Sequence, residues 1–156
     1  MIGVVQRVLE ARVDVAGETV GAIAHGLLVL ASIVHDDTLA DAEWFAQKLV
    51  SLRIFRNVDK HFDLDVTQAG GSMLLVSNFT VAAETRRGRR PSLDNAAPPE
   101  RGEELFNHLV ECVRASGVPV ATGKFGANMQ IHLVNDGPAT FIVQTDPKKE
   151  ITNPHE

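Results

Sequence analysis

The sequence lacks the features that mark exported, disulfide-bonded and membrane-spanning proteins. Cys112 is its one cysteine, so no internal disulfide can form, which fits a reducing compartment. Its longest apolar run, residues 26–34, is about half the length that a membrane helix needs. Arg7 interrupts what would be the apolar core of a signal peptide. We therefore expect a cytoplasmic protein with no membrane partner.

Familiar catalytic signatures are missing as well. The six histidines form no i, i+4 pair and no metal-ligand spacing, so we expect neither a metal site nor a bound cofactor. The chain has no G-x-S-x-G elbow and no phosphate-binding glycine loop. Ser77 and Thr80 carry hydroxyl groups without a visible base, and an unactivated hydroxyl is a weak nucleophile. Cys112, in a predicted helix, is expected to be a buried, inert thiol.

The composition is that of a globular protein with one local concentration of positive charge. A chain of 156 residues with 44% hydrophobic residues is about one domain and can bury a core. The net charge of −5 does not favour nucleic-acid binding, but phosphate contacts depend on local fields. The dense basic cluster consists of Arg86, Arg87, Arg89 and Arg90. It suits a solvated loop, a contact with tRNA phosphates or support for a dimer, and the sequence leaves these three open.

Alternating polarity predicts most of the strands. In the first strand, one face carries the apolar residues Val5, Leu9, Ala11, Val13 and Val15, and Arg7 falls on that same face. The run 26–34 is β-branched and continuously apolar, which predicts a strand buried on both faces. Further strands are predicted at residues 19–23, 52–55, 73–76, 129–135 and 139–145. Asp136-Gly137-Pro138 joins the last two, where Asp-Gly is also a common hairpin signal.

Two helices are predicted from their capping and stop signals. Thr38 and Asp41 form a capping-box pattern before the first helix. The second begins near Pro98-Pro99, and Gly117 ends it. Its buried face is predicted to contain Leu105, Phe106, Leu109, Val110 and Val113. With no repeat and no long linker, the pattern predicts one α+β domain over residues 1–146 and a polar tail over residues 147–156.

Four motifs together resemble the D-aminoacyl-tRNA deacylase family. They are Ser-Asn-Phe-Thr at 77–80, the arginine-rich segment 85–92, Phe-Gly-Ala at 125–127 and Asn-Asp-Gly-Pro at 135–138. The resemblance extends from residue 6 to residue 141. It implies a barrel-like α+β homodimer with two main helices and no protein-bound cofactor. It also implies that the dimer binds aminoacyl-tRNA and contacts its 3′-terminal adenosine and acceptor stem.

The resemblance also implies roles for individual residues. Ser77, Asn78, Phe79 and Thr80 would line the catalytic pocket, with the Phe79 and Thr80 amides binding the developing oxyanion. The Thr80 hydroxyl would donate a hydrogen bond, and the 2′-hydroxyl of the terminal ribose would help to activate the attack on the ester. Substrate binding would further involve Phe125, Ala127, Met129 and Asn135.

Gly137-Pro138 would form a main-chain chiral filter. The resemblance implies a cis peptide that enters the partner's pocket, where its carbonyls leave no room for an L side chain. Proline makes cis accessible, and glycine has no Cβ to keep the backbone from a ligand. Glycine itself has no side chain to exclude, so glycyl-tRNA would also be a substrate. Arg7 would bond the backbone near this pair, although a surface arginine displaced by a bulge fits the same pattern.

One departure from the family and three alternative functions remain open. Asn78 stands where the family usually has glutamine, and its side chain is one methylene shorter. This favours, slightly, a nucleic-acid-binding module without catalysis. A deacylase for L-alanine on tRNA with a trans Gly-Pro is another alternative, although Ser77 and Phe79 argue against it. The third is a hydrolase of small esters with a Ser or Thr nucleophile.

Overall fold

A computed structural model describes residues 1–146, and the predicted tail lies outside the described residues. The elements, in chain order, are β1 (Ile2–Val15), β2 (Glu18–Ile23), β3 (Gly26–Ser32), α1 (Leu39–Ser51), β4 (Ser72–Ser77), a 3-10 turn (Phe79–Ala82), α2 (Pro99–Ala115), β5 (Val120–Thr122) and β6 (Gln130–Gln144). Neither helix in this part of the chain is long and apolar enough to cross a membrane.

The long strand β1 organises a single sheet. It pairs antiparallel with β6 along one edge, while β3 and β2 divide its other edge. From β3 the sheet continues through β4 to β5 with parallel pairing. β2 then packs closely against β5. The two backbones approach so closely that a Cβ built on Gly21 would lie 2.2 Å from the Thr122 carbonyl oxygen. The result is a nearly closed, barrel-like sheet with two helices, and the predicted fold class is confirmed.

Both faces of β3 and β4 are buried, which explains their continuous apolar runs. Leu27, Val29, Met73 and Leu75 pack in the cluster that also contains α1 and α2 residues, among them Phe45 and Leu109. The alternate residues on the opposite face join a second cluster inside the barrel, with Val8, Ala11, Val13, Leu28, Leu74 and Val76 as its members. The sheet therefore separates a helix-covered core from a barrel core.

Both helices form as predicted. The Thr38 hydroxyl accepts from the Asp41 amide, and the Asp41 carboxylate accepts from the Thr38 amide, which completes the capping box of α1. Helix α2 starts with proline in its first turn and buries all five residues of the predicted face. Gly117, just beyond this helix, has a φ of 92°, a conformation that glycine adopts without strain.

Several predicted strands are wrong. Residues 52–55 form no strand, because Phe55 makes only an isolated bridge with Leu64. The short strand β5 was not predicted, since three residues are too few to show a period. The third strand ends at Ser32 rather than residue 34. Leu9, predicted on the buried face, is 55% exposed, while Val8 is buried. The pairing of β1 with β6 is irregular on both sides of Val8, which shifts the alternation by one residue.

The last two predicted strands are one strand. Both halves of β6 pair antiparallel with β1, so Asp136-Gly137-Pro138 is not a hairpin and the chain does not reverse there. Gln6 pairs with Thr140 and Val8 with Asn135, so that Arg7 alone stands opposite residues 136–139. These four residues bulge out of the sheet, and we call them the β6 bulge.

The closing of the barrel can be tested at Gly21. We expect Gly21→Ala to destabilise the fold by about 1–3 kcal/mol, because the added methyl group meets main-chain atoms of β5. Chemical denaturation monitored by circular dichroism measures this change. Gly102→Ala in α2 is the matched control, since its new Cβ would meet only the Phe125 ring at 3.5 Å. It should leave stability unchanged or raise it through better helix propensity. Equal stability of Gly21→Ala and the wild type would contradict the account.

Candidate active site

A cleft of about 860 Å³ opens where β4 ends. Its apolar lining includes Ala31, Ile33, Val76 and Ile131. The cleft brings together seven of the residues predicted to form the site, namely Ser77, Asn78, Phe79, Thr80, Phe125, Ala127 and Met129. Its opposite wall, formed by residues 93–99 and Gly102, was not predicted, because proline-rich loops give no signal of where they fold. The volume is typical of a site for a small molecule or nucleoside.

The 3-10 turn at the mouth of this cleft is fixed by Asn78. The Asn78 amide donates to the Ala31 carbonyl at 2.8 Å, which continues the β3–β4 pairing by one residue. Its side-chain oxygen then accepts from the Thr80 amide at 3.2 Å and from the Thr80 hydroxyl at 2.5 Å. Phe79 begins the turn, so its amide has no carbonyl partner one turn earlier. The Thr80 amide and hydroxyl are therefore both bonded within the turn. The Phe79 amide takes no part in the hydrogen bonds of the turn.

The chain does not bring all predicted site residues to this cleft. Arg7, Asn135, Gly137 and Pro138 are absent from the described lining. Gly137 and Pro138 are exposed at the tip of the β6 bulge, and the peptide bond between them is cis. The Asn135 side chain closes the base of the bulge by donating to the Ala139 carbonyl at 3.2 Å and to the Gln6 side chain at 3.2 Å.

Arg7 fastens the β6 bulge to the rest of the fold. Only 3% of Arg7 is exposed, although it carries a positive charge. Its Nε and Nη2 atoms donate to the Asp136 carbonyl oxygen at 3.1 and 2.8 Å, and its Nη1 atom donates to the Ile54 carbonyl at 2.6 Å. The Phe62 ring lies over the guanidinium, 5.8 Å from ring centroid to Cζ. The buried charge is thereby surrounded by acceptors from two separate segments.

A second arginine reaches the same bulge. The Asp136 carboxylate bonds Arg7 Nε at 3.1 Å, and its other oxygen lies 3.7 Å from Arg56 Nη2. Arg56 was not recognised from the sequence, because it follows a segment wrongly predicted as a strand and belongs to no motif. Asp136 therefore stands between a buried and a half-exposed guanidinium.

The basic cluster lies on a loop that closes on itself. Glu84 and Ser92 form an antiparallel bridge at its base. Hydrogen bonds from the Arg86 side chain and backbone lower the pKa of Glu84 to about 2. Arg86 is thus engaged within the loop. The remaining three, Arg87, Arg89 and Arg90, are exposed and form no ion pair with any described residue.

The other titratable groups offer little chemistry. Burial, followed by the nearby Glu43 and Glu111 carboxylates, raises the pKa of Cys112, so this thiol stays protonated at neutral pH. Over residues 1–146, no three His, Cys, Asp or Glu side chains are grouped as metal ligands would be. The polar side chains in the lining of the cleft are the hydroxyls of Ser77 and Thr80, the amides of Asn78 and Asn128, and the Asp94 carboxylate.

Comparison with known proteins gives the site its context. The family model described as D-Tyr-tRNA(Tyr) deacylase matches residues 4–144. The D-aminoacyl-tRNA deacylase of Geobacter sulfurreducens is 49% identical over 97% of this chain and 100% of its own length. That of Pseudomonas fluorescens is 50% identical over 93% of this chain and 100% of its own length.

Two solved structures share the fold. One, named c-Myc DNA Unwinding Element Binding Protein, has a TM-score of 0.90 and 37% identity, and the match covers 94% of this chain and 100% of that one. Another, described as a probable eukaryotic D-amino acid tRNA deacylase, has a TM-score of 0.78 and 15% identity, covering 91% and 97%. At that lower identity the likeness shows the fold alone. With the family model matching nearly the whole chain and relatives about half identical to it, the protein belongs to the D-Tyr-tRNA(Tyr) deacylase family.

Proposed function

We propose that this protein hydrolyses the ester bond of D-aminoacyl-tRNA in the cytoplasm and releases the free D-amino acid and tRNA. The observation that carries the proposal is the cleft, in which the 77–80 turn meets Phe125, Ala127 and Met129 in a chain about half identical to proteins named D-aminoacyl-tRNA deacylase. The terminal adenosine and its aminoacyl group fit a cleft of this size.

The chemistry is the addition of water to the ester carbonyl. Water forms the new C–O bond, the bond to the ribose 3′-oxygen breaks, and that oxygen leaves with a proton. The Phe79 amide, which the turn does not use, stabilises the oxyanion that develops on the carbonyl. The ribose 2′-hydroxyl of the substrate helps to activate the attack on the ester.

The chiral filter acts through main-chain atoms of the partner subunit. Gly137 and Pro138 are exposed and lie outside the cleft of their own chain, so they are available to a second one. A wall of carbonyl groups rejects any L side chain by its position and accepts D side chains of many shapes. Glycyl-tRNA, with no side chain on either face, passes the same wall and is hydrolysed.

The outer strand of the sheet supports the proposal of a homodimer. Within residues 1–146, β6 pairs with β1 alone, so its other edge carries unpaired amides and carbonyls. Large apolar side chains accompany this edge, since Leu133, Val134 and Ile142 are 37%, 45% and 65% exposed. An apolar strand that carries the β6 bulge is suited to contact a second copy of the chain.

The main alternative is a nucleic-acid-binding module without catalysis. The name of the structural neighbour with 37% identity favours it, since that protein is called a DNA unwinding element binding protein. The two functions differ in turnover, because a binding module would retain tRNA without releasing an amino acid.

The proposed reaction is tested with matched D- and L-tyrosyl-tRNA in the presence of a chelator. We expect the D ester to be lost at least about 100-fold faster than the L ester, because the wall excludes the L side chain. The released amino acid is measured by chromatography over time. Binding without release of either amino acid would support the binding module. Preferential loss of L-alanyl-tRNA would support the L-alanine alternative.

The filter should depend on its anchoring by Arg7. We expect Arg7→Met to lower the ratio of D to L deacylation by about 10-fold or more, because the Asp136 carbonyl loses its donors and the bulge shifts. Arg53→Met is the matched control, since exposed Arg53 bonds Asp63 and makes no contact with the bulge. It should keep the wild-type ratio. An unchanged ratio of D to L deacylation in a folded Arg7→Met protein would show that Arg7 does not contribute to selectivity.

The three unpaired arginines should contact tRNA phosphates. Replacing Arg87, Arg89 and Arg90 together with alanine should weaken tRNA binding and reduce the slope of log affinity against log salt by about 2 to 3. Filter binding at several salt concentrations measures both. The control replaces Arg101 and Arg114 with alanine, since each is paired with a glutamate on α2. Equal slopes for both variants would assign the basic loop to solubility or to the dimer.

The dimer is tested by placing a charge on the exposed face of β6. We expect the wild type to sediment as a dimer and Ile142→Asp as a monomer, because a buried carboxylate without a partner is costly. Lys124→Asp changes an exposed residue before the cleft segment and should leave the dimer intact. A monomeric wild type at micromolar concentration would refute the dimer.

A further inference from the structure

The Thr80 hydroxyl uses its only proton in a hydrogen bond to the Asn78 side chain. The Asn78 side-chain atom that faces Thr80 lies 3.2 Å from the Thr80 backbone amide and 2.5 Å from Thr80 Oγ1. A backbone N–H can only donate, so the Asn78 atom must be its oxygen and not its nitrogen. Between that oxygen and Thr80 Oγ1, the hydroxyl must then be the donor.

The remaining hydrogen-bonding capacity of Thr80 is therefore that of an acceptor. A hydroxyl has one proton and two acceptor lone pairs. Within residues 1–146, the hydrogen bonds of Thr80 Oγ1 go to Asn78 alone. Thr80 is exposed and lines the cleft, so its lone pairs are accessible to a bound molecule. The geometry also argues against nucleophilic attack, because the neutral amide of Asn78 is no base for the proton that an attacking hydroxyl must lose.

We propose that Asn78 is a positioning residue that fixes Thr80 Oγ1 as a hydrogen-bond acceptor for the substrate. The proposal rests on the deacylase function above and assigns Thr80 the opposite role to the donor expected from the sequence. The complementary group is an N–H or O–H donor on the aminoacyl-adenosine end of tRNA. Two such donors flank the ester carbon, the α-ammonium group and the ribose 2′-hydroxyl.

The length of the Asn78 side chain suits this role. An asparagine oxygen readily reaches the amide two residues later and forms the local ring known as an Asx turn. Glutamine has one more methylene and does not form this short ring. Asn78→Gln therefore tests the reach of the side chain while keeping its chemistry.

The test measures binding of a stable analogue, 3′-(D-alanylamino)-3′-deoxyadenosine, in which an amide replaces the ester. We expect Thr80→Val to weaken binding by about 10- to 100-fold if the donor is charged and by about 3- to 10-fold if it is neutral. Thr80→Ser should restore wild-type affinity. Asn78→Ala and Asn78→Gln should each weaken binding, and either change combined with Thr80→Val should cost less than the sum of the two single losses, because part of the effect of Asn78 acts through the Thr80 hydroxyl.

Two further analogues identify the donor. One has a propionyl group in place of D-alanyl and so lacks the α-ammonium group, and the other lacks the 2′-hydroxyl. Thr80→Val should cause no further loss with the analogue that lacks its partner. Thr19→Val is the control, because Thr19 also gives its hydroxyl proton to a side-chain oxygen, that of Asp14, outside the cleft. It should bind all analogues like the wild type.

The outcomes distinguish a failure of the acceptor proposal from a failure of the proposed function. Wild-type deacylation of D-tyrosyl-tRNA with no loss of affinity in Thr80→Val would overturn the acceptor role alone. A loss that persists unchanged with both shortened analogues would also overturn it, since no substrate donor would then be coupled to Thr80. Absence of both deacylation and analogue binding in the wild type would overturn the function itself.

Discussion

One buried positive charge, that of Arg7, holds the bulge between the two halves of β6 against the rest of the fold. Arg7 stands alone opposite four residues of β6, and its guanidinium takes the place of the missing strand pairing. Removing its acceptors would leave a buried charge unpaired, which costs about 3–5 kcal/mol in typical proteins. The β6 bulge is therefore held in one position by a group that β1 supplies from the interior.

In the proposed mechanism, main-chain groups act where many hydrolases use side chains. On the cleft side, the Asn78 cap shapes the turn that presents the Phe79 amide. On the β6 side, Arg7 and Asn135 shape the bulge that presents Gly137 and Pro138. Both devices fix backbone groups, whose positions do not vary with the side chain of the amino acid to be removed. This suits an enzyme that selects for chirality at one carbon and tolerates diversity beyond it.

The sequence predicted long periodic elements well and short or irregular ones poorly. Helix caps at Thr38 and Gly117 depend on local chemistry and were visible. The β6 bulge looked like a hairpin because Asp-Gly favours reversal, and nothing local reveals that both flanks pair with the same strand. The residues around the cleft followed from the resemblance, while Arg56 and the 93–99 wall depend on tertiary contacts. The acceptor role proposed for the Thr80 hydroxyl rests on two distances from the Asn78 side-chain oxygen, which a sequence motif does not provide.

We propose that each site combines the cleft of one subunit with the β6 bulge of the other. This arrangement is tested most directly with mixed dimers of two variants, Ala127→Trp, which fills the cleft, and Gly137→Val, which alters the bulge. In a mixed dimer, one site joins an intact cleft to the partner's intact bulge. We predict that mixing restores D-selective deacylation, to as much as about a quarter of the wild-type sites for equal, random mixing of subunits. If the mixture shows only the average of the two parent activities, the bulge acts within its own subunit and the account is contradicted.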